Sequence, residues 1–371
     1  MTGFVPVVPR YGQASLPAVL PRVLADLLGD GEGPRVRSAV VVLVDGLGAR
    51  LLERRGGHAP FLRSLLPAGS VVDCGFPTTT ATSMGSFGTG LAPGAHGLVG
   101  YEVLDPATDR VFNELSWEHG PAPRRWQPHP TLFERAVADG VAVTRIGPGF
   151  FDGSGLTEAA LRGGRFVAAG SLADRVDAAV RTVREQPRSL VYLYWGDLDK
   201  VGHVHGCGSW QWGDELTAVD GELARLARCL PPGTSLHVTA DHGMVDVPDS
   251  GRLELADAPD LEAGVRLVAG EPRSLQLHVR PGALDDVVAA WRGRFGAGAA
   301  VRTRAEAVAE RWFGDVRPEV AARIGDVVVA MGPGLSVVDS RRQRPQLVAL
   351  RGVHGSLTDD EVAVPWLTVT A

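Results

Sequence analysis

The segment 189-SLVYLYWGDLDKVGHVHG-206 begins as an apolar run and ends in two aspartates, one lysine and two histidines. Its first half does not alternate apolar with polar, which suits a strand buried on both faces. The acids follow at the carboxyl end, where open parallel sheets bind ligands. Three other runs have the same character: 39-AVVVLVD-45, 141-VAVTRIG-147 and 234-TSLHVTAD-241. Helical patterns separate them, at 59-APFLRSLLPAG-69, 130-PTLFERAVADG-140, 172-LADRVDAAVRTVRE-185 and 215-ELTAVDGELARLARCL-230. Strands alternating with helices predict an α/β fold, with a mainly parallel sheet sandwiched by helices.

Residues 251–320 read differently. Short strands and helices alternate through 274-SLQLHVR-280, 283-ALDDVVAAWRGRF-295, 299-AAVRTR-304 and 305-AEAVAERWF-313. We expect a small α+β insertion there that shapes one wall of a pocket, with 1–250 and 321–371 forming the core. The chain returns to that core through 324-IGDVVVAMG-332.

Composition narrows the function classes. Of 371 residues, 44% are hydrophobic and 22% charged, near the globular average. The net charge of −6 and the lack of a basic block argue against binding a nucleic-acid polymer. Three widely spaced cysteines, Cys74, Cys207 and Cys229, do not form a disulfide framework. Prolines interrupt the N-terminal stretch where a signal peptide needs a continuous apolar core. No apolar run approaches the roughly 20 residues that span a bilayer. These features predict a soluble, cytoplasmic protein that makes no membrane contact.

Candidate chemistry collects at the strand ends: Asp45 in VVLVDGLG, Asp197 and Asp199 in YLYWGDLD, Asp241 and His242 in VTADHGM. If the chain after Asp197 is helical, Asp199 and His203 share a face at i, i+4 and can grip one ion. In an extended chain, His203 and His205 would pair instead. The plain alternative is that Asp199 caps a turn. The stretch 76-FPTTTATSMGSFGTG-90 holds seven hydroxyls among small side chains. It reads either as a capped helix start or as a nucleophile at a helix N-terminus, where free N–H groups and the dipole favour a phosphate. His354 in 352-GVHGS-356 taken alone suits a surface turn. Lys200 is the only lysine in the chain. It is either a solvated cation or a contact for a phosphate or substrate carboxylate. Trp195, Trp210 and Trp212 flank the acidic cluster and could stack on a base.

In order, VDG, PTTT…GTG, DKVGH, ADHGM and GVHG resemble the alkaline phosphatase superfamily, in particular its nucleotide pyrophosphatase/phosphodiesterase branch. The match in order and spacing runs from about residue 39 to 357. The resemblance implies an alkaline-phosphatase-like core that binds two divalent metal ions. One would be held by Asp199, His203 and His354, the other by Asp45, Asp241 and His242, with Thr80 as nucleophile and further ligand. Zinc is the usual metal for such carboxylate–imidazole sets, and oxygen-rich sites also accept manganese. Thr80 would attack phosphorus, a phosphothreonine would form, and water would split it.

The implied activity is hydrolysis of a small-molecule phosphoester or pyrophosphate. A phosphomonoesterase, a phosphonate hydrolase or a catalytically inactive metal-binding protein would share most of these residues. Where the family's diesterases carry Phe-Pro-Asn after the nucleophile, this chain has Ala81, Thr82 and Ser83, so Ser83 takes the place of a phosphate-contacting Asn. The small residues of 81–90 would leave room for a second ester group. Cys74-Gly75-Phe76-Pro77 lacks the spacing and arginine of a sulfatase.

Overall fold

The computed structural model describes residues 3–31, 36–186 and 188–371. Strands β1 (Ser38–Val44), β2 (Ser70–Asp73), β3 (Ala142–Gly147), β4 (Arg165–Ala168), β5 (Ser189–Trp195), β6 (Thr234–Thr239) and β7 (Ala363–Thr370) form one sheet, ordered β2-β7-β6-β1-β5-β3-β4. Neighbours from β6 to β4 pair parallel. Only β7 runs the other way, antiparallel to both β6 and β2. Every residue of β1 and β6 is buried. That is why these strands read as unbroken apolar runs, with helices covering both faces.

Four helices matter for the site: α1 (Thr80–Thr89), α2 (Leu172–Glu185), α3 (Asp197–His205) and α4 (Trp210–Cys229). A capping box starts α2, with Ser171 and Asp174 each accepting from the other's backbone N–H. Helix α4 starts at Trp210, not at 215 as expected, because the Ser209 side chain accepts from the backbone N–H of Trp212.

A second, antiparallel sheet is ordered Val265–Glu271, Ser274–Val279, Val327–Met331, Ala299–Thr303. It packs its own apolar cluster around Trp291, Leu277 and Val329. Val327–Met331, which lies past the expected boundary at residue 320, is an inner strand of this small sheet. A continuous apolar run reports burial, but not which sheet buries it. Among the described residues, no helix is long and apolar enough to cross a membrane.

Candidate active site

The acids collect because β6, β1 and β5 are neighbours and end together. Asp45 follows β1, and its N–H donates to the Trp195 carbonyl at 2.8 Å, which ties the ends of β1 and β5. Asp241 and His242 lie just past β6. The segment after β5 is helical, so Asp199 and His203 share one face, with Oδ2 and Nε2 3.3 Å apart. His205 is exposed, which removes the extended-strand pairing with His203. Asp199 lies inside α3, and Gly196 occupies the N-cap, so the turn-capping role also falls.

His354 is not a surface turn residue. It is 9% exposed, with Nε2 3.9 Å from Asp199 Oδ1. Bare backbone makes this approach geometrically feasible. A Cβ on Gly352 would fall 2.5 Å from the Gly202 carbonyl oxygen, and one on Gly202 would fall 2.5 Å from Met244 Sδ. Glycines in DKVGH and GVHG thus let α3 and the His354 loop touch.

Two groups of potential ligands result: Asp199, His203 and His354, and Asp45, Asp241 and His242. In the second, His242 Nε2 lies 3.4 Å from Asp45 Oδ1 and 3.5 Å from Asp241 Oδ2. The groups adjoin, since the His242 and His354 rings stack at 3.8 Å. Thr80 is the first residue of α1, and its hydroxyl lies 3.3 Å from His242 Nε2.

The donor set fits cations. Nδ1 of His203, His242 and His354 faces the carbonyls of Gly352 (2.7 Å), Gly243 (3.0 Å) and Thr78 (2.8 Å). A carbonyl only accepts, so each Nδ1 carries a hydrogen, which leaves Nε2 as the ring atom turned toward the site. Asp45 Oδ1, Asp199 Oδ1 and Asp241 Oδ2 are buried without a hydrogen-bond partner. Buried carboxylate oxygens left in this way are costly unless a cation meets them.

The electrostatics agree. Burial, then Asp241 and Asp199, push Asp45 well above the usual carboxylate range. Burial also acts to raise Asp199, but His203, His354 and His242 outweigh it and hold that carboxyl low. Burial acts to lower His203, but Asp199 raises it on balance. Burial and neighbouring His242 keep His354 neutral well below the usual imidazole range.

Other expected contacts lie elsewhere. Ser83 is fully buried, and its hydroxyl donates to the Asp241 carbonyl at 2.7 Å, so it supports the Asp241 turn. Lys200 is 70% exposed and pairs with Asp197 at 2.6 Å. Trp212 is fully buried, and Trp195 is 8% exposed with its indole N–H on Glu215, so both are core residues. Trp210 is exposed. The small residues of α1 do not open a cavity: residues 81–89 are buried, and a Cβ on Gly88 would meet the Ala160 carbonyl oxygen at 1.8 Å.

Four residues escaped the sequence reading. The Tyr194 hydroxyl donates to Asp45 Oδ2. A phenol on the last turn of an apolar strand, beside an acid, was its only signal. Phe151 packs on Tyr194 at 5.4 Å and carries Phe150, which is 76% exposed. Glu271, from the small sheet, is buried 3.5 Å from His354 Nδ1, and burial pushes its carboxyl well above the usual range.

The family model of type I phosphodiesterase / nucleotide pyrophosphatase matches residues 39–357. No curated protein matches the chain. Among solved structures, murine ectonucleotide pyrophosphatase/phosphodiesterase 5 is similar, with TM-score 0.71 and 21% identity over 88% of this chain and 87% of that one. An inactive variant of it in complex with AMP gives 0.70 and 20%, over 88% and 87%. Phosphonoacetate hydrolase from Sinorhizobium meliloti 1021 in complex with phosphonoformate gives 0.68 and 19%, over 90% of each chain. These likenesses agree with the α/β architecture described above. With strand-end acids, paired histidines and a family match spanning most of its length, the chain belongs to the type I phosphodiesterase/nucleotide pyrophosphatase family of the alkaline phosphatase superfamily, and is a hydrolase of phosphoester bonds.

Proposed function

We propose that the protein is a metal-dependent hydrolase of small-molecule phosphodiester or pyrophosphate bonds, working through a phosphothreonine at Thr80. The observation that carries this reading is the Thr80 hydroxyl, at the start of a ten-residue helix, 3.3 Å from His242 Nε2 and beside two adjoining ligand groups. Asp199, His203 and His354 would hold one cation, and Asp45, Asp241, His242 and Thr80 the other. Bound there, divalent cations supply charge neutralisation for the phosphoryl oxygens and a lowered pKa at the threonine hydroxyl, with zinc the best match to the donors.

The chain's own residues do the rest. First-turn N–H groups of α1 lack intrahelical acceptors and suit phosphoryl oxygens. Thr80 Oγ1 forms the new bond to phosphorus as the bond to the leaving oxygen breaks. Water then cleaves the phosphothreonine and restores the hydroxyl. Three backbone carbonyls hold the imidazoles in one tautomer, and Tyr194 fixes Asp45. The exposed Phe150, linked through Phe151 to Tyr194, offers an aromatic wall for an organic ester group.

A diester or pyrophosphate is favoured over a monoester because the site's motifs bring no free cation for the extra charge. Helix α1 has none, and Lys200 is spent on Asp197. The murine relative's complex with AMP supports a nucleotide-like substrate. Free thiols at Cys74, Cys207 and Cys229 suit a reducing compartment, the cytoplasm.

The test is release of p-nitrophenol from bis- and mono-(p-nitrophenyl) phosphate, with and without chelator, in wild type and Thr80→Ala. We expect faster diester cleavage, loss with chelator, and a drop on the order of a thousandfold or more in the variant, with metal content nearly intact. An active Thr80→Ala beside an inactive Thr79→Ala or Thr78→Ala would move the nucleophile. A wild-type preference for the monoester would overturn the substrate class.

A further inference from the structure

Residues 271–274 turn the first hairpin of the small sheet, and within that turn Arg273 is completely buried. Its guanidinium forks onto Glu361, also completely buried, with Nε to Oε1 at 2.8 Å and Nη2 to Oε2 at 2.7 Å. Its remaining donors go to the carbonyls of Gly332 (2.9 Å), Met331 (3.2 Å) and Leu335.

Glu361 in turn grips both halves of the site. Its Oε1 accepts from the Ser356 N–H at 3.0 Å, two residues past His354. Its backbone carbonyl accepts from the Gly243 N–H at 2.9 Å, next to His242. The Ser356 carbonyl accepts from the Thr78 hydroxyl at 3.0 Å, and the Thr78 carbonyl is the acceptor for His354 Nδ1. One glutamate therefore ties together the loops whose histidines stack at 3.8 Å, and one arginine ties that glutamate to the small sheet.

Stability alone does not account for such a pair. Desolvating two charges is costly, and well-packed apolar replacements are often as stable. What an apolar pair cannot do is accept from Ser356 and hold a planar two-pronged geometry. Neither residue is in the ligand groups.

We propose that Arg273 and Glu361 are positioning residues: a buried charged clamp through which the small sheet sets the spacing of His242 and His354, and with it the cation affinity of the paired ligand groups. The proposal rests on the metal reading above, and its test separates the two. Zinc alone is titrated against a fluorescent chelator, without substrate, in wild type, Arg273→Lys, Glu361→Gln and the double variant Arg273→Met/Glu361→Leu. Circular dichroism and thermal melts run alongside.

Wild type is expected to bind zinc in both groups. Each single variant is expected to stay folded and to lose about 10–100-fold in zinc affinity, the usual cost of removing support for a metal ligand. The double variant is expected to regain melting temperature relative to the singles but not zinc affinity. Recovery of both in the double variant would reduce the pair to a fold-stabilising role and overturn the proposal. Should the double variant not fold, Arg273→Lys decides, because a folded Arg273→Lys with wild-type zinc affinity overturns it as well. A wild type that binds no zinc would instead sink the metal reading and the clamp with it.

Discussion

Ser83 lies one helical turn past Thr80, yet its hydroxyl is committed to the Asp241 carbonyl. Ser83→Ala should therefore cost about 1 kcal/mol of stability, as for a typical buried hydrogen bond. A melt should show that loss while KM for an aryl phosphodiester stays put. A large rise in KM without a stability change would return Ser83 to the substrate. Lys200 reaches out to Asp197, with side chains 70% and 45% exposed. Exposed pairs contribute about 0–1 kcal/mol, so Lys200→Ala should leave kcat/KM for the diester within about twofold. A tenfold loss would assign the lysine to substrate after all.

At the scale of the element, α1 is a wedge of small residues whose packing sets where Thr80 sits. Gly88→Ala would place a methyl group against the Ala160 carbonyl, and should cost about 1–3 kcal/mol, the usual range for overpacking. An unchanged melting temperature would mean the helix can shift at no cost. The same helix rests on His96, which is fully buried, accepts from the Leu98 N–H through Nδ1 at 3.1 Å, and meets Ser86 through Nε2 at 3.0 Å. Burial drives its pKa down to about 3, well below the ordinary imidazole value.

The folded state therefore refuses a proton that the unfolded chain takes up below about pH 6.5. The contribution of His96 is fully present above that pH. It is lost as pH falls toward 3, by up to about 1.4 kcal/mol per pH unit. Melts of wild type and His96→Gln from pH 7 to about pH 4 should converge as the wild type loses stability faster. Parallel curves would show that His96 does not stay neutral in the fold.

At the scale of the whole molecule, the ligand groups join the ends of three strands to the His354 loop, so cation binding should stabilise the entire fold. Zinc at 100 times its Kd would add about 2.7 kcal/mol per site by mass action. Chelation should lower the melting temperature, and added zinc should restore it. Identical melts with and without chelator would count against binding in the native state. The strand-end acids and a hydroxyl-rich helix start were legible in the sequence, because each depends on local periodicity and on the residues that border an element, whereas the pairing of Asp199 with His203 held only if the segment was helical and the choice of Thr80 among its neighbours came from motif order. The placement of His354 was legible only through motif order. Its meeting with Asp199 depends on bare backbone contact between Gly202 and Gly352, which spacing does not encode. The direction of Ser83, the membership of Val327–Met331 in the small sheet, and the Arg273–Glu361 clamp were decided by tertiary structure alone. Side-chain alternation and apolar runs determine that a residue is buried. Which distant partner it is buried against is set only when the elements pack and every buried polar group must find a partner.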